Sequence, residues 1–275
     1  MTQNFWMFFG CNKMVMVNYI LQFLILLLLQ EIIQYKGEGE INMHDKLKSI
    51  PSLSSNSIYM GLLLAVVGGF LDAYTFVSRD GVFANAQTGN MVLLAVKAAN
   101  GEWKGALLYI PPIIAFILGV LVSEIVKIPH VRHLLYSYRR SILILEFFVL
   151  VFVGFLPLSV PNMIVTVSIA FVSSLQISTF NKIDKWAYNS TITTGNLRTA
   201  TQAAYAAFVG HDKEAKRQFF DFGVIILSFF TGALLGTFST TYIGKTSIWI
   251  AAGILVIAIV LYHRDKGYYR KAEQY

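Results

Sequence analysis

Asp72 lies deep in an apolar stretch, residues 58–77, with apolar residues on its N-terminal side for several turns. A charge at the centre of a bilayer costs about 2.5–3.5 kcal/mol on insertion scales, so such a residue usually faces a bundle interior and has a partner or a task. The plainer alternative is that Asp72 caps the end of a shorter helix beside Arg79 and Asp80, or is buried protonated. Arg198 is its natural complement. It could pair with Asp72 or hold an anion, unless it snorkels to the headgroups. Gln176 stands where Asp72 stands in an earlier copy of the same pattern, and it can hydrogen-bond without charge. The tripeptide Thr88-Gly89-Asn90 recurs as Thr194-Gly195-Asn196. Thr or Asn can cap the free N–H groups of a helix, and Gly lets the chain turn and approach closely. A helix N-terminus inside a membrane offers unpaired donors and positive partial charge, which suit anions, carboxylates or polar solutes. Equally, these side chains could serve only the backbone of a re-entrant turn. Glu146, inside another apolar run, is a second-rank candidate.

Other chemistries lack their residues. The chain shows no zinc spacing, Walker loop or GxSxG elbow, and no Ser–His, HExxH or paired-carboxylate arrangement. His130, His133 and His211 fall in basic loops without ligand spacing, and Cys11 is the only cysteine. No enzyme, metal or cofactor is therefore expected. The net charge of +7 is spread between apolar runs, as in cytoplasmic loops, rather than gathered in one block for nucleic acid.

The elements that must position these residues follow from hydropathy. The chain is 56% hydrophobic and 13% charged, against about 25% charged in soluble domains. Strong apolar runs occupy 58–77, 106–126, 141–159, 163–180, 219–240 and 243–262, each near the length that a helix needs to cross a bilayer. Two weaker segments, 88–99 and 194–209, are shorter or more polar, and both open with TGN. Upstream, Asp72-Ala-Tyr-Thr75-Phe76 answers Gln176-Ile-Ser-Thr179-Phe180. Downstream, Phe116-Ile-Leu-Gly119 answers Phe229-Phe-Thr-Gly232. Three matches in the same order point to an internal duplication.

Charge decides between topologies. If the TGN segments dip in and return, the loop Lys127 to Arg140, the region Lys182 to Arg217 and the basic tail all fall on one side, which is the positive-inside pattern. The expected fold is all-α integral membrane, with six transmembrane helices and two short re-entrant half-helices. Three spans per half make the two repeats inverted, and their TGN segments enter from opposite faces and meet near the midplane. Eight spans in parallel repeats is the alternative. The expected boundaries are an N-terminal extension 1–57, membrane repeats 58–160 and 161–262, and a basic cytoplasmic tail 263–275. Within the extension, the apolar run 14–33 reads as an extra helix. Alternatively, Lys36-Gly37-Glu38 can be encoded by a ribosome-binding sequence, Met43 is the native start, and residues 1–42 are translated leader.

Gly69-Phe70-Leu71-Asp72-Ala73, Gly81-Val82-Phe83-Ala84-Asn85 and Thr88-Gly89-Asn90 resemble the first signature of the YoaK family, bacterial inner-membrane proteins of unknown function. Gln176 with Thr194-Gly195-Asn196-Leu197-Arg198 resembles the second. The resemblance covers roughly residues 58 to 262 and implies a small polytopic protein of the bacterial cytoplasmic membrane.

Two functional readings follow. One is a secondary transporter or channel for a small anionic or polar solute, built around Asp72, Gln176, Arg198 and the two TGN motifs. The other is a non-transporting scaffold that binds anionic lipid or a cytoplasmic partner through the basic loop Lys127–Arg140 and the basic tail. The bilayer is a partner in both, and assembly into a homo-oligomer is left open.

Overall fold

The computed structural model describes residues 56–132, 137–157 and 159–272. The extra helix at 14–33 and the proposed start at Met43 lie outside the described residues. The described chain is almost wholly helical, and its long helices are α1 (Ile58–Ser78), α4 (Ile110–Lys127), α6 (Tyr138–Phe155), α7 (Asn162–Thr179), α9 (Lys213–Ile243) and α10 (Ile248–Ala272). The shorter ones are α2 (Gln87–Ala99), α3 (Trp103–Ala106), α5 (Pro129–Arg132) and α8 (Thr193–Phe208). A two-stranded ribbon, β1 (Lys182–Ile183) with β2 (Trp186–Ala187), was not expected from the sequence.

Local chemistry sets the boundaries. Ser57 caps α1 by accepting the Met60 amide at 3.3 Å. Asp212 accepts from Glu214 and Ala215, so α9 begins six residues before the apolar run at Phe219. Pro111 and Pro112 stand in the first turn of α4, where a missing N–H costs nothing. Gly244, at φ 75°, ends α9, and a 3₁₀ turn (Gly244–Ser247) leads into α10.

Hydrogen bonds at the two ends give each helix a direction. At one end Arg79 donates to Asn162 Oδ1 at 3.0 Å, the Tyr74 hydroxyl donates to the Lys245 carbonyl at 3.1 Å, and Lys245 Nζ donates to the Leu156 carbonyl at 2.5 Å. That end gathers the C-termini of α1, α6 and α9 and the N-termini of α7 and α10. At the other, Lys127 Nζ donates to the Ser178 carbonyl at 2.9 Å, the Asp184 amide donates to the Asn56 carbonyl at 2.7 Å, and Phe180 meets Tyr262 edge-on. The six long helices therefore alternate in direction. The segment bearing α2 leaves and returns at the Arg79 end, and the one bearing α8 at the Lys127 end.

Packing crosses between the earlier and later parts of the chain. α1 packs mainly on α9, and α7 on α4. α10 contacts α1 and α6, and α6 also contacts α7. The crossings use glycines: a Cβ on Gly232 would stand 2.1 Å from the Val66 carbonyl oxygen, and one on Gly69 2.0 Å from that of Phe229. At the other crossing, a Cβ on Gly119 would fall 2.5 Å from the Phe171 carbonyl oxygen. Small residues let helix backbones approach where lipid supplies no hydrophobic drive.

Outward faces stay apolar: Ile117, Leu121, Phe148, Phe152, Leu227 and Phe230 are all about half exposed or more. Such surface suits lipid and is rare in contact with water. Four stretches are long and apolar enough to cross a membrane: Ile58–Ser78, Trp103–Lys127, Asn162–Thr179 and Lys213–Tyr262. The last holds both α9 and α10. α6 carries Arg139, Arg140 and Glu146 and is too charged to join them. The described chain is thus mostly helical, and its long apolar helices are those of a membrane protein.

Candidate functional site

The two TGN motifs do the same local job. Asn90, fully buried, accepts the Phe83 amide at 2.9 Å and donates to the Phe83 carbonyl at 2.8 Å. Asn196 treats Asn189 identically, accepting its amide at 3.3 Å and donating to its carbonyl at 2.5 Å. In each loop the asparagine amide pairs with both backbone groups of the residue seven positions earlier. Thr88, Thr194 and Gly195 are exposed and Gly89 is half-buried. Of each tripeptide only the asparagine faces inward, and its role is to close the loop ahead of the half-helix.

Buried backbone amides in the loop ahead of each half-helix need acceptors. In the first loop they come from α1: Asp72 Oδ1 accepts from the Asn85 amide at 2.7 Å and the Ala86 amide at 3.4 Å, while Thr75 Oγ1 accepts from Ala84 at 3.0 Å. Asp72 thus holds the loop ahead of α2 from a different helix. In the second loop the corresponding amides, Thr191 and Ile192, are both taken by Asn189 Oδ1 at 2.9 and 3.0 Å. A local cap replaces the remote carboxylate. Gln176, the counterpart of Asp72, is released from that duty: it is buried, and its Nε2 has no partner among the described residues. Thr179, the counterpart of Thr75, instead meets Ser123 of α4 at 3.2 Å.

Both loops converge on the midpoint of α1. Asn85 Nδ2 donates to the Gly68 carbonyl at 3.3 Å. A Cβ on Gly68 would lie 2.5 Å from the Thr191 methyl and 3.4 Å from the Ser190 carbonyl oxygen. Around this Gly68–Asp72 turn, three buried polar atoms have no hydrogen-bond partner among the described residues: Asp72 Oδ2, Asn85 Oδ1 and Ser190 Oγ. Buried polar atoms are nearly always paired, so a cluster of unpaired ones calls for an explanation, often an occupant.

Arg198 does not join them. It is exposed, and no ion pair links it to Asp72. The reason is angular: α8 buries Asn196, Ala200, Ala203 and Ala207, and a residue two positions after Asn196 is rotated by about 200° from it. Asn85, Asn189 and Ser190 belong to the site; Asn85 stands in the first family-like signature, while Asn189 and Ser190 carry no individual signal in the sequence except their offset from the TGN asparagine. Asn189-Ser190-Thr191 matches only a glycosylation pattern in the sequence.

Arg79 also belongs to this polar framework. It is 2% exposed and binds Asn162 and, at 2.9 Å, the Tyr74 hydroxyl; it has no acidic partner among the described residues. It ties α1 to α7 and, through Tyr74, to the turn before α10. Arg79→Leu should lower stability by about 2–4 kcal/mol, because it strands buried partners of a charged hydrogen-bond donor. Tyr74→Phe should cost about 1 kcal/mol. Detergent thermal unfolding of both variants checks this order.

No curated protein matches the chain, and no solved structure does. The model of a family described as a protein of unknown function (DUF1275) matches residues 60–261, nearly the whole described bundle with both loops, and the chain therefore belongs to the DUF1275 family.

Proposed function

We propose that this protein is a secondary transporter or channel for a small polar solute, with its site where the two TGN loops meet on α1. In this reading the six alternating long helices are six spans, the half-helices α2 and α8 re-enter from opposite faces, and the two repeats are inverted. The reciprocal packing, α1 on α9 and α7 on α4, supports that arrangement. The Lys127 end carries Arg139, Arg140, Lys182, Lys185, Lys213 and Arg217 and is assigned to the cytoplasm by the positive-inside rule. The membrane is taken to be the bacterial cytoplasmic one, in line with the resemblance to the YoaK family.

The carrying observation is the trio of buried, unpaired atoms Asp72 Oδ2, Asn85 Oδ1 and Ser190 Oγ, at mid-depth on a helix that both loops touch. Two are pure acceptors and the third can accept. Meanwhile two amides just ahead of each half-helix already have acceptors, Asp72 in one loop and Asn189 in the other. This chemistry favours a solute that donates hydrogen bonds over an anion.

Proteoliposome uptake tests the reading with three probes: methylammonium, glycerol and acetate. Methylammonium or glycerol should enter faster than into empty vesicles, and Asp72→Asn should cut that uptake about tenfold or more, the size of one lost charged hydrogen bond. Acetate should not be favoured. The exposed basic residues Lys182, Lys185, Lys213, Lys216 and Arg217 support the second reading, a scaffold on anionic lipid. No uptake of any probe, together with vesicle clustering that Lys213→Gln and Lys216→Gln abolish, would favour it.

A further inference from the structure

A second buried carboxyl lies away from the loops. Glu146 sits midway along α6, is wholly buried, and neither carboxyl oxygen has a hydrogen-bond partner among the described residues. Among the described residues, its surroundings supply no countercharge. α6 packs on α7, on α10 and on the Gly244–Ser247 turn. Residues 162–179 of α7 hold no ionisable side chain, and residues 248–262 of α10 hold only Tyr262. The turn holds Lys245, whose ammonium is bound to the Leu156 carbonyl, ten residues or about 15 Å farther along the helix. On α6 itself the other ionisable groups are Tyr138, Arg139 and Arg140. The two arginines are six and seven residues away, about 10 Å along the axis.

A carboxylate with two unpaired oxygens in an apolar helix interface carries a desolvation cost that nothing nearby offsets. One small occupant removes it. A proton converts the carboxylate to a carboxylic acid, with one O–H and one carbonyl, and leaves no charge on the Glu146 side chain. We propose that Glu146 is a proton-binding site, separate from the Asp72 centre, which takes up and gives back a single proton. Its further role as the coupling-proton carrier rests on the transport reading; the proton site itself does not.

Infrared spectroscopy of the full chain in lipid tests it. The wild type should show a carboxylic-acid carbonyl band that Glu146→Gln removes and Asp72→Asn leaves, and the band should shift on transfer to heavy water. Labelling glutamate with ¹³C should move the same band in the wild type, which identifies it even if the Glu146→Gln variant fails to fold. Absence of a glutamate acid band overturns the proposal. So does a band that heavy water never shifts, because a sealed acid exchanges nothing. A shifting band without solute uptake would retain the site and remove only its coupling role.

Discussion

Gly232→Ala should destabilise the folded bundle by about 3 kcal/mol or more, at or beyond the upper end of what overpacking a core costs. The added methyl would stand 2.1 Å from the Val66 carbonyl oxygen, with Val66 Cα at 2.8 Å. A side chain in that place could rotate away. A backbone carbonyl within α1 cannot, so α1 and α9 must separate along the most extensive helix contact in the protein. The contact is also doubly set, because Gly69 of α1 meets the Phe229 carbonyl in the same way. Gly253→Ala is the internal control: nothing lies within 4 Å of a Cβ there. It should stabilise α10 by roughly 0.5–1 kcal/mol through lower backbone entropy in the unfolded chain. Thermal unfolding followed by size-exclusion in detergent reads both. Equal shifts, or none at Gly232, would mean that α1 and α9 do not cross at these residues.

Asp72→Ala should cost about 2–4 kcal/mol, since it leaves the buried amides of Asn85 and Ala86 without their acceptor. Asp72→Asn should cost much less, because the amide oxygen can still accept. That split separates the two tasks of one residue: holding the first loop needs an oxygen, and the proposed solute chemistry needs the charge. The second loop suggests a rescue. There Asn189, seven residues before the TGN asparagine, caps the amides locally; the same offset in the first loop is Phe83. Phe83→Asn in the Asp72→Ala background should therefore recover part of the loss. Recovery will be incomplete, because Phe83 stacks on Phe76 at 4.6 Å. Asn189→Ala alone should destabilise by an amount similar to Asp72→Ala. If Phe83→Asn lowers stability further, the two loops are not interchangeable in the way their hydrogen bonds indicate.

Hydropathy and motif spacing were enough to determine the long helices and the two short TGN segments between them. Those features are local or periodic: an apolar run needs a helix in lipid wherever it goes. Asp72 was likewise legible as inward-facing, because lipid tolerates a buried charge poorly; the TGN tripeptides were legible as a motif, but not which of their residues turns inward. What each one touches was decided by tertiary structure. Asp72 faces its own following loop and not Arg198, because the chain turns back after Arg79 to lay Asn85 and Ala86 against α1, while a two-residue offset on α8 rotates Arg198 outward. Gln176 is not needed as an acceptor in the second loop, because Asn189 takes its amides and α7 does not. A sequence states that a buried amide must be satisfied. Whether the acceptor is three residues away or on another helix depends on where the loop returns, and only the folded chain fixes that.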